Sequence, residues 1–174
     1  MTATAAALVL VLTAGACGDD DSTDTGDGTT TTEAEDSTTT TAPPTPEELA
    51  AAAYQASWDA TFRALNPAQE TEELRQLLTG EALSETLNIV NGIARDGHRV
   101  EGSVKTSTSV VSVTGTQVVL DDCAVENSVE YDGAGQVVDP AENVTTHYTV
   151  TVVNEGGTWK VSDFERLEEP CTPQ

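Results

Sequence analysis

The spacing of apolar residues along this chain changes once, at Asp96-Gly97. Before that point, apolar side chains recur every three or four residues, which is typical of amphipathic helices. After it, β-branched residues alternate with polar ones, which is typical of strands that bury one face. We therefore expect an α+β fold in which the helices come first and cover one face of an antiparallel sheet.

Three helical segments are expected before the change. The first begins at Thr45-Pro46-Glu47-Glu48, where a threonine cap, a proline and a glutamate form a start signal, and it ends at Asn66-Pro67. A short second helix precedes Thr79-Gly80, and a third runs from about Glu81 to Arg95. The apolar residues expected to face the sheet are Ala51, Tyr54, Trp58, Phe62 and Leu65, then Leu74, Leu77 and Leu78, then Leu83, Leu87, Val90, Ile93 and Ala94.

The strands are expected to be long. One bent strand is predicted from Val100 through Val113, and a second from Gln117 to about Tyr131, with an irregularity near Asp121-Asp122-Cys123. A turn at 154–157 leads into the last strand, which begins at Thr158. Between them lies a strand whose core-facing residues are predicted to be Val144, Thr146, Tyr148, Val150 and Val152.

The N-terminal residues form an apolar run that is too short to be a membrane span. Ala3 to Ala16 carries no charge and ends in small residues directly before Cys17. A spanning helix needs about 20 apolar residues, whereas a signal peptide needs a shorter core and a small-residue cleavage site. We therefore interpret residues 1–16 as a signal peptide, and the protein as exported.

The residues Leu12-Thr13-Ala14-Gly15-Ala16-Cys17 resemble the lipobox of bacterial lipoproteins, although Ala14 is smaller than the usual residue there. The resemblance implies that Cys17 carries lipid and becomes the mature N-terminus, so the protein would be anchored on the extracytoplasmic face of the cell membrane. Two acyl chains anchor a protein stably. The alternative is an ordinary secretory signal followed by an incidental cysteine.

The other two cysteines form a natural pair. The chain has three cysteines, so lipid on Cys17 leaves Cys123 and Cys171. Disulfides persist in exported proteins. We predict a Cys123–Cys171 disulfide that ties the C-terminal tail to the sheet; the alternative is two separate reduced thiols.

Residues 17–45 are rich in aspartate, threonine and proline and lack aromatic side chains. Such a segment buries too little apolar surface to fold, so we interpret it as a disordered tether ahead of a single domain, residues 46–174. Its acidic residues lack the spacing of a calcium loop. The whole chain has 30 acidic against 7 basic residues, which excludes nucleic acid as an expected partner.

The domain resembles a known superfamily. The aromatic first helix, the sequence Thr79-Gly80-Glu81-Ala82-Leu83, long strands with a central cysteine, and a closing Gly156-Gly157-Thr158-Trp159-Lys160-Val161 are similar to the cone-shaped fold of nuclear transport factor 2, ketosteroid isomerase and SnoaL-type cyclases. Within it, the chain looks closest to actinobacterial lipoproteins and Mce-associated proteins. The resemblance implies a curved sheet, a pocket between helix and sheet, and pairing of two copies through the sheet.

The residues that could line such a pocket are Tyr54, Trp58, Phe62 and Tyr148, although core packing is the default explanation for Tyr54 and Trp58. An isomerase of this fold needs a buried carboxylate and an oxyanion donor, for which Tyr54, Asp59, Tyr148 and Asp163 are the candidates. No catalytic motif matches residue by residue. His98 and His147 are not spaced as zinc ligands, His147 is expected to face solvent, and no cofactor is expected.

Together these features favour a non-catalytic envelope lipoprotein that binds a protein partner or a small apolar molecule. The alternative is an isomerase or cyclase that acts on an apolar small molecule. The two differ in one structural respect, because only the enzyme requires a buried carboxylate inside the pocket.

Overall fold

A computed structural model describes residues 42–173, which belong to one compact unit. In this range three helices precede five strands. The elements are α1 (Pro46–Leu65), α2 (Glu72–Leu77), α3 (Gly80–Asp96), β1 (Arg99–Lys105), β2 (Thr108–Thr114), β3 (Gln117–Tyr131), β4 (Val137–Glu155) and β5 (Thr158–Leu167). The predicted α+β class is therefore confirmed. The predicted signal peptide, Cys17 and residues 17–41 of the predicted tether lie outside the described residues.

The predicted helix boundaries follow local chemistry. At the start of α1, the backbone N–H of Thr45 donates to Glu48 Oε2 (2.8 Å) and that of Glu48 donates to Thr45 Oγ1 (3.3 Å). This is the predicted capping box, which satisfies N–H groups that a helix start leaves free. Gly97 ends α3 with φ 71°, a left-handed conformation that glycine adopts without steric cost.

The sheet is antiparallel, with strand order β1-β3-β4-β5, and β2 also pairs with β3. Thus β1 pairs with residues Val125–Tyr131 of the long β3, and β2 pairs with its residues Gln117–Asp122. The sequence predicts one bent strand here, but the structure has two. The reason lies at Ser107, whose backbone N–H leaves the ladder and donates to Asp122 Oδ1 (2.6 Å).

The core lies between the helices and one face of the curved sheet, here called the concave face. Its fully buried residues include Leu74 and Val90 from the helices and Leu120 and Val150 from the sheet. The buried residues of α3 are Ala82, Thr86 and Val90. Val90 belongs to the predicted stripe, whereas the predicted Leu83 and Leu87 are only partly buried and the residues before them lie deeper. This is the predicted arrangement, with the helices on one face of an antiparallel sheet.

Two predictions about the core are wrong, because Ala94 in the last turn of α3 and Val144 of β4 are both exposed. Val144 was expected to face the core, but its side chain is 45 % exposed. The strand β4 is longer than predicted, and its first half extends beyond the helices that would cover it, so alternation alone does not bury Val144. From Tyr148 onward the predicted face is correct, because Val150 and Val152 are fully buried.

Candidate functional site

A cavity of about 320 Å³ lies where the resemblance predicts one, between α1, α3 and the concave face of the sheet. We call it the cone pocket. The residues that line it are Ser57, Trp58 and Thr61 of α1, Glu85, Thr86 and Ile89 of α3, Tyr148 of β4, and Phe164 and Arg166 of β5.

Three aromatic rings form the inner wall of the cone pocket. The Trp58 ring centroid lies 6.2 Å from that of Tyr148 and 5.9 Å from that of Phe164, in tilted arrangements. Such offset ring pairs are favourable beyond the area they bury. Tyr148 lies on β4 and Phe164 on β5, and these two strands pair with each other. In their register, Tyr148 lies opposite Arg166, and Val150 lies opposite Phe164. Directly paired residues share a face, so Arg166 lies beside Tyr148 on the concave face.

Behind this wall lies a buried hydrogen-bonded pair, Tyr54 and Asp122. The Tyr54 hydroxyl donates to Asp122 Oδ2 (2.9 Å), while the other carboxylate oxygen, Oδ1, accepts from the Ser107 N–H. Both side chains are 0 % exposed. Neither lines the cone pocket. The pair therefore fastens α1 to the interruption between β1 and β2.

Burial shifts the titration of both members of this pair. The pKa of Tyr54 is raised, first because burial disfavours its charged form and then because Asp122 is negative; the Trp58 indole acts in the opposite direction. The pKa of Asp122 is also raised, chiefly by burial, although hydrogen bonds from Tyr54 and Ser107 oppose the rise. Tyr54 therefore stays protonated and donates to the carboxyl group.

The structure separates the four predicted pocket residues. Trp58 and Tyr148 line the cone pocket. Tyr54 is fully buried beneath it. Phe62 lies elsewhere, with Asp59, in an open groove of about 490 Å³ between α1 and β1. Although the periodicity of α1 places Trp58 and Phe62 on one stripe, they lie a helical turn apart and meet different parts of the curved sheet.

The residues of this region that were not predicted from the sequence include Asp122, Thr86, Phe164 and Arg166. The irregularity near Asp122 was visible, but it did not reveal that this side chain faces inward. Phe164 and Arg166 are two residues apart, which puts them on one face of a strand, so extending the alternation of the last strand could have found them. Asp163, the residue before Phe164, lies on the other face of the strand and does not line the pocket.

The opposite, convex face of the sheet carries the predicted cysteine pair. Cys123 and Cys171 adopt disulfide geometry, with their Cα atoms 5.7 Å apart. Beside them, His147 Nε2 lies 2.7 Å from Asp121 Oδ1, and its Nδ1 lies 3.1 Å from the backbone oxygen of Glu169. The pKa of His147 is raised, mainly by its hydrogen bond to Asp121.

The prediction that His147 faces solvent is therefore only half correct. Its side chain lies on the face opposite Tyr148, but the C-terminal tail covers it and leaves it 17 % exposed. Alternation along a strand gives the face of a residue; it does not reveal that a distant segment returns over that face.

No group of three or more His, Cys, Asp or Glu side chains within residues 42–173 is arranged to hold a metal ion. In the same range, no helix combines the length and the hydropathy needed to cross a membrane.

No protein-family model and no curated protein sequence matches the chain. Several solved structures are similar. The intermembrane space region of the chloroplast protein ARC6 aligns with a TM-score of 0.61 and 20 % identity, covering 72 % of this chain and 98 % of that one. This likeness shows a shared fold and nothing about activity.

Two further structures align less well. A protein of the NTF2-like family from Streptomyces avermitilis gives a TM-score of 0.49 and 16 % identity, covering 71 % of this chain and 97 % of that one. A hexachlorocyclohexane dehydrochlorinase gives a TM-score of 0.43 and 15 % identity, covering 71 % of this chain and 93 % of that one.

Proposed function

We propose that this protein is an exported lipoprotein, anchored through Cys17, whose domain binds a small apolar molecule in the cone pocket without transforming it. The observation that carries the binding role is the composition of the pocket. Its inner wall is aromatic, and the buried carboxylate nearest to it, Asp122, does not reach it. A concave apolar site with a few polar groups is the usual form of a small-molecule site.

The state of Asp122 is the reason to prefer binding over catalysis. A general base must come within hydrogen-bonding distance of the proton that it removes. Both oxygens of Asp122 already accept hydrogen bonds, from Tyr54 and from Ser107, and the side chain has no exposed surface. The carboxylate that does line the pocket, Glu85, belongs to an exposed residue, whereas an isomerase of this fold needs a buried one.

The anchor and the partner belong to the same proposal. The lipobox resemblance and the acidic tether support attachment of the domain at the outer face of the cell membrane. The resemblance to Mce-associated proteins supports a more specific role, in which the domain contacts an envelope protein beside a transporter. Pairing of two copies through the sheet would be compatible with it, because the cone pocket lies on the concave face.

The anchor is tested by Cys17→Ala in intact cells. We expect the variant to fold and to leave the membrane fraction, because the attachment depends on acyl chains. Fractionation followed by immunoblotting measures this, with Cys171→Ala as a cysteine control that stays with the membrane. Retention of Cys17→Ala in the membrane fraction would refute the lipid anchor.

The binding role is tested with an apolar fluorescent probe. Trp58 lines the pocket and the second tryptophan, Trp159, does not, so Trp159→Phe leaves Trp58 as the reporter. We expect an apolar naphthalene probe to quench Trp58 saturably in the full-length chain. Phe164→Asp, which puts a charge in the inner wall, should abolish the effect, and unsaturable quenching would contradict the proposal.

One observation favours the enzyme alternative, namely the buried Tyr54–Asp122 pair, which joins a carboxyl group to a hydroxyl donor. An isomerase would need Trp58 to move and open this pair to the pocket. Turnover of a cyclic β,γ-unsaturated ketone, lost in Asp122→Asn, would establish the enzyme. Equal slow rates in the wild type and in Asp122→Asn support the binding role.

A further inference from the structure

Arg166 is the basic residue that lines the cone pocket. The chain has 7 basic residues against 30 acidic ones, so most cations find a carboxylate. Those with an ion pair are Arg63, Arg75, Arg99 and Lys160. Arg166 makes no ion pair or side-chain hydrogen bond within residues 42–173, although it lines the cone pocket. The positive charge of Arg166 acts on Tyr148. Burial raises the pKa of Tyr148, and the charge of Arg166 offsets part of this rise.

A second polar group faces the same cavity without a partner. Thr86 lines the pocket and is 5 % exposed, and its hydroxyl makes no hydrogen bond within the described part of the chain. The neighbouring hydroxyls differ, because Ser57 donates to the Tyr54 carbonyl (2.7 Å) and Thr61 donates to the Ser57 carbonyl (2.8 Å). The Thr86 hydroxyl is therefore available to pair with a polar atom of a ligand in the cavity.

We propose that the ligand of the cone pocket is a small aromatic monocarboxylate, with its ring against Trp58, Tyr148 and Phe164 and its carboxylate on Arg166. This inference rests on the proposed binding function and names its ligand class. An arginine fork matches a carboxylate in charge and geometry. The Thr86 hydroxyl then pairs with a second polar atom on the ring.

The size of the cavity sets the size of the ligand. A volume of about 320 Å³ holds roughly ten non-hydrogen atoms, at about 30 Å³ each as in liquid water. This admits one ring with a short acidic side chain. It excludes a long fatty acyl chain lying entirely inside the pocket.

Glu85 restricts the charge that the ligand can carry. It lines the same pocket from α3, while Arg166 lies on β5. A second negative group on the ligand would meet Glu85 without a cation to offset the repulsion. The pocket therefore selects a single carboxylate, and removing the Glu85 charge should strengthen the binding of an anion.

The test is a calorimetric titration of the full-length chain with cinnamate and with its neutral isostere, cinnamamide. We expect cinnamate to bind more tightly by on the order of tenfold, and less so at high salt, because Arg166 is solvent-exposed. Arg166→Gln should remove this preference, so that cinnamate and cinnamamide bind equally. Arg95→Gln is the matched control, because Arg95 also lacks an ion pair in the described part of the chain but does not line the pocket.

Two further variants sharpen the result. Glu85→Gln should raise the affinity for cinnamate a few-fold and leave that for cinnamamide unchanged. Thr86→Val should weaken 4-hydroxycinnamate more than cinnamate, because only the former offers a second polar atom.

The outcomes distinguish this inference from the proposed function. If cinnamate and cinnamamide bind equally and Arg166→Gln changes neither, the ligand class is refuted while the binding pocket stands. If neither compound binds and the apolar naphthalene probe also fails to quench Trp58, the binding function itself is refuted. A preference for cinnamate that survives in Arg166→Gln would place the anion site elsewhere and overturn the assignment of Arg166.

Discussion

Asp121 and Asp122 are neighbours in β3 and have the same side chain, yet they lie in opposite environments. Asp121 faces the convex side, where its side chain is 44 % exposed and contacts His147. Asp122 faces the concave side, has no exposed surface, and binds Tyr54 and Ser107. One step along a strand reverses the direction of the side chain, and this reversal decides which carboxylate meets water.

The comparison extends to the two faces of the sheet. On the convex face, the disulfide and the His147 contact hold the C-terminal tail on the sheet. On the concave face, aromatic rings and the Tyr54–Asp122 pair hold α1 and leave a cavity beside it. Exposed ion pairs contribute little to stability, whereas a buried polar group that loses its partner is costly. The two faces should therefore respond differently to substitution.

The largest effect is expected from removing the disulfide with Cys123→Ser and Cys171→Ser together. The cysteines are separated by 48 residues, for which the loss of chain-entropy stabilisation is about 4 kcal/mol. Urea unfolding measures the change. Because the tail lies on the convex face, the affinity of the cone pocket should stay within twofold of the wild type. A parallel loss of affinity would mean that the two faces are coupled.

The next effect is that of Asp122→Ala, which should lower the free energy of unfolding by about 3 kcal/mol, because it leaves the Tyr54 hydroxyl and the Ser107 N–H without their acceptor. Asp121→Ala is the matched control on the other face and should cost less than about 1 kcal/mol. Urea denaturation measures the loss of unfolding free energy in both variants. Equal losses would contradict the expected difference between the two faces of the sheet.

A smaller effect is expected for Tyr54→Phe, which removes one donor and keeps the ring. The loss should be about 1 to 2 kcal/mol, because the Asp122 carboxyl retains only the Ser107 N–H. Tyr148→Phe removes a hydroxyl from a tyrosine of the pocket wall and should stay within about 0.5 kcal/mol of the wild type. Similar losses in the two variants would indicate that the buried pair has no special role.

The smallest effects are expected in the pH dependence of stability. The titrating group on each face of the sheet changes the stability in a different pH range. Burial raises the pKa of Asp122 above its ordinary 3.8, so its contribution to stability falls as the pH rises from about that value toward the raised pKa. The pKa of His147 is raised above 6.5, so the stabilisation by its contact with Asp121 is present below that pH and is lost as the pH rises through the raised pKa.

Urea unfolding midpoints measured between about pH 3 and about pH 8 distinguish the contribution of Asp122 from that of His147. Asp122→Asn should flatten the acid part of the profile and leave the neutral part unchanged. His147→Gln should do the reverse. If either variant flattened both parts, the assignment of one titrating group to each face would be wrong.

Much of the fold was predictable because its signals are local. The capping box at Thr45 and Glu48 and the glycine at position 97 fix helix ends through neighbouring backbone groups. The bounds of β3 follow from alternation between two turns. The break between β1 and β2 was missed, because it depends on a hydrogen bond between Ser107 and a side chain 15 residues away.

By itself, the sequence determined the order of helices and strands, the cysteines available for pairing, and the face of most strand residues. Local periodicity and turn chemistry are sufficient for these features. Only the tertiary structure decided that Asp122 is buried beside Tyr54, that Phe62 lies outside the cone pocket, and that Thr86, Phe164 and Arg166 meet within it. These outcomes depend on strand register, on how far the helices cover the sheet, and on where α1 and α3 cross it, and no local pattern encodes those distances.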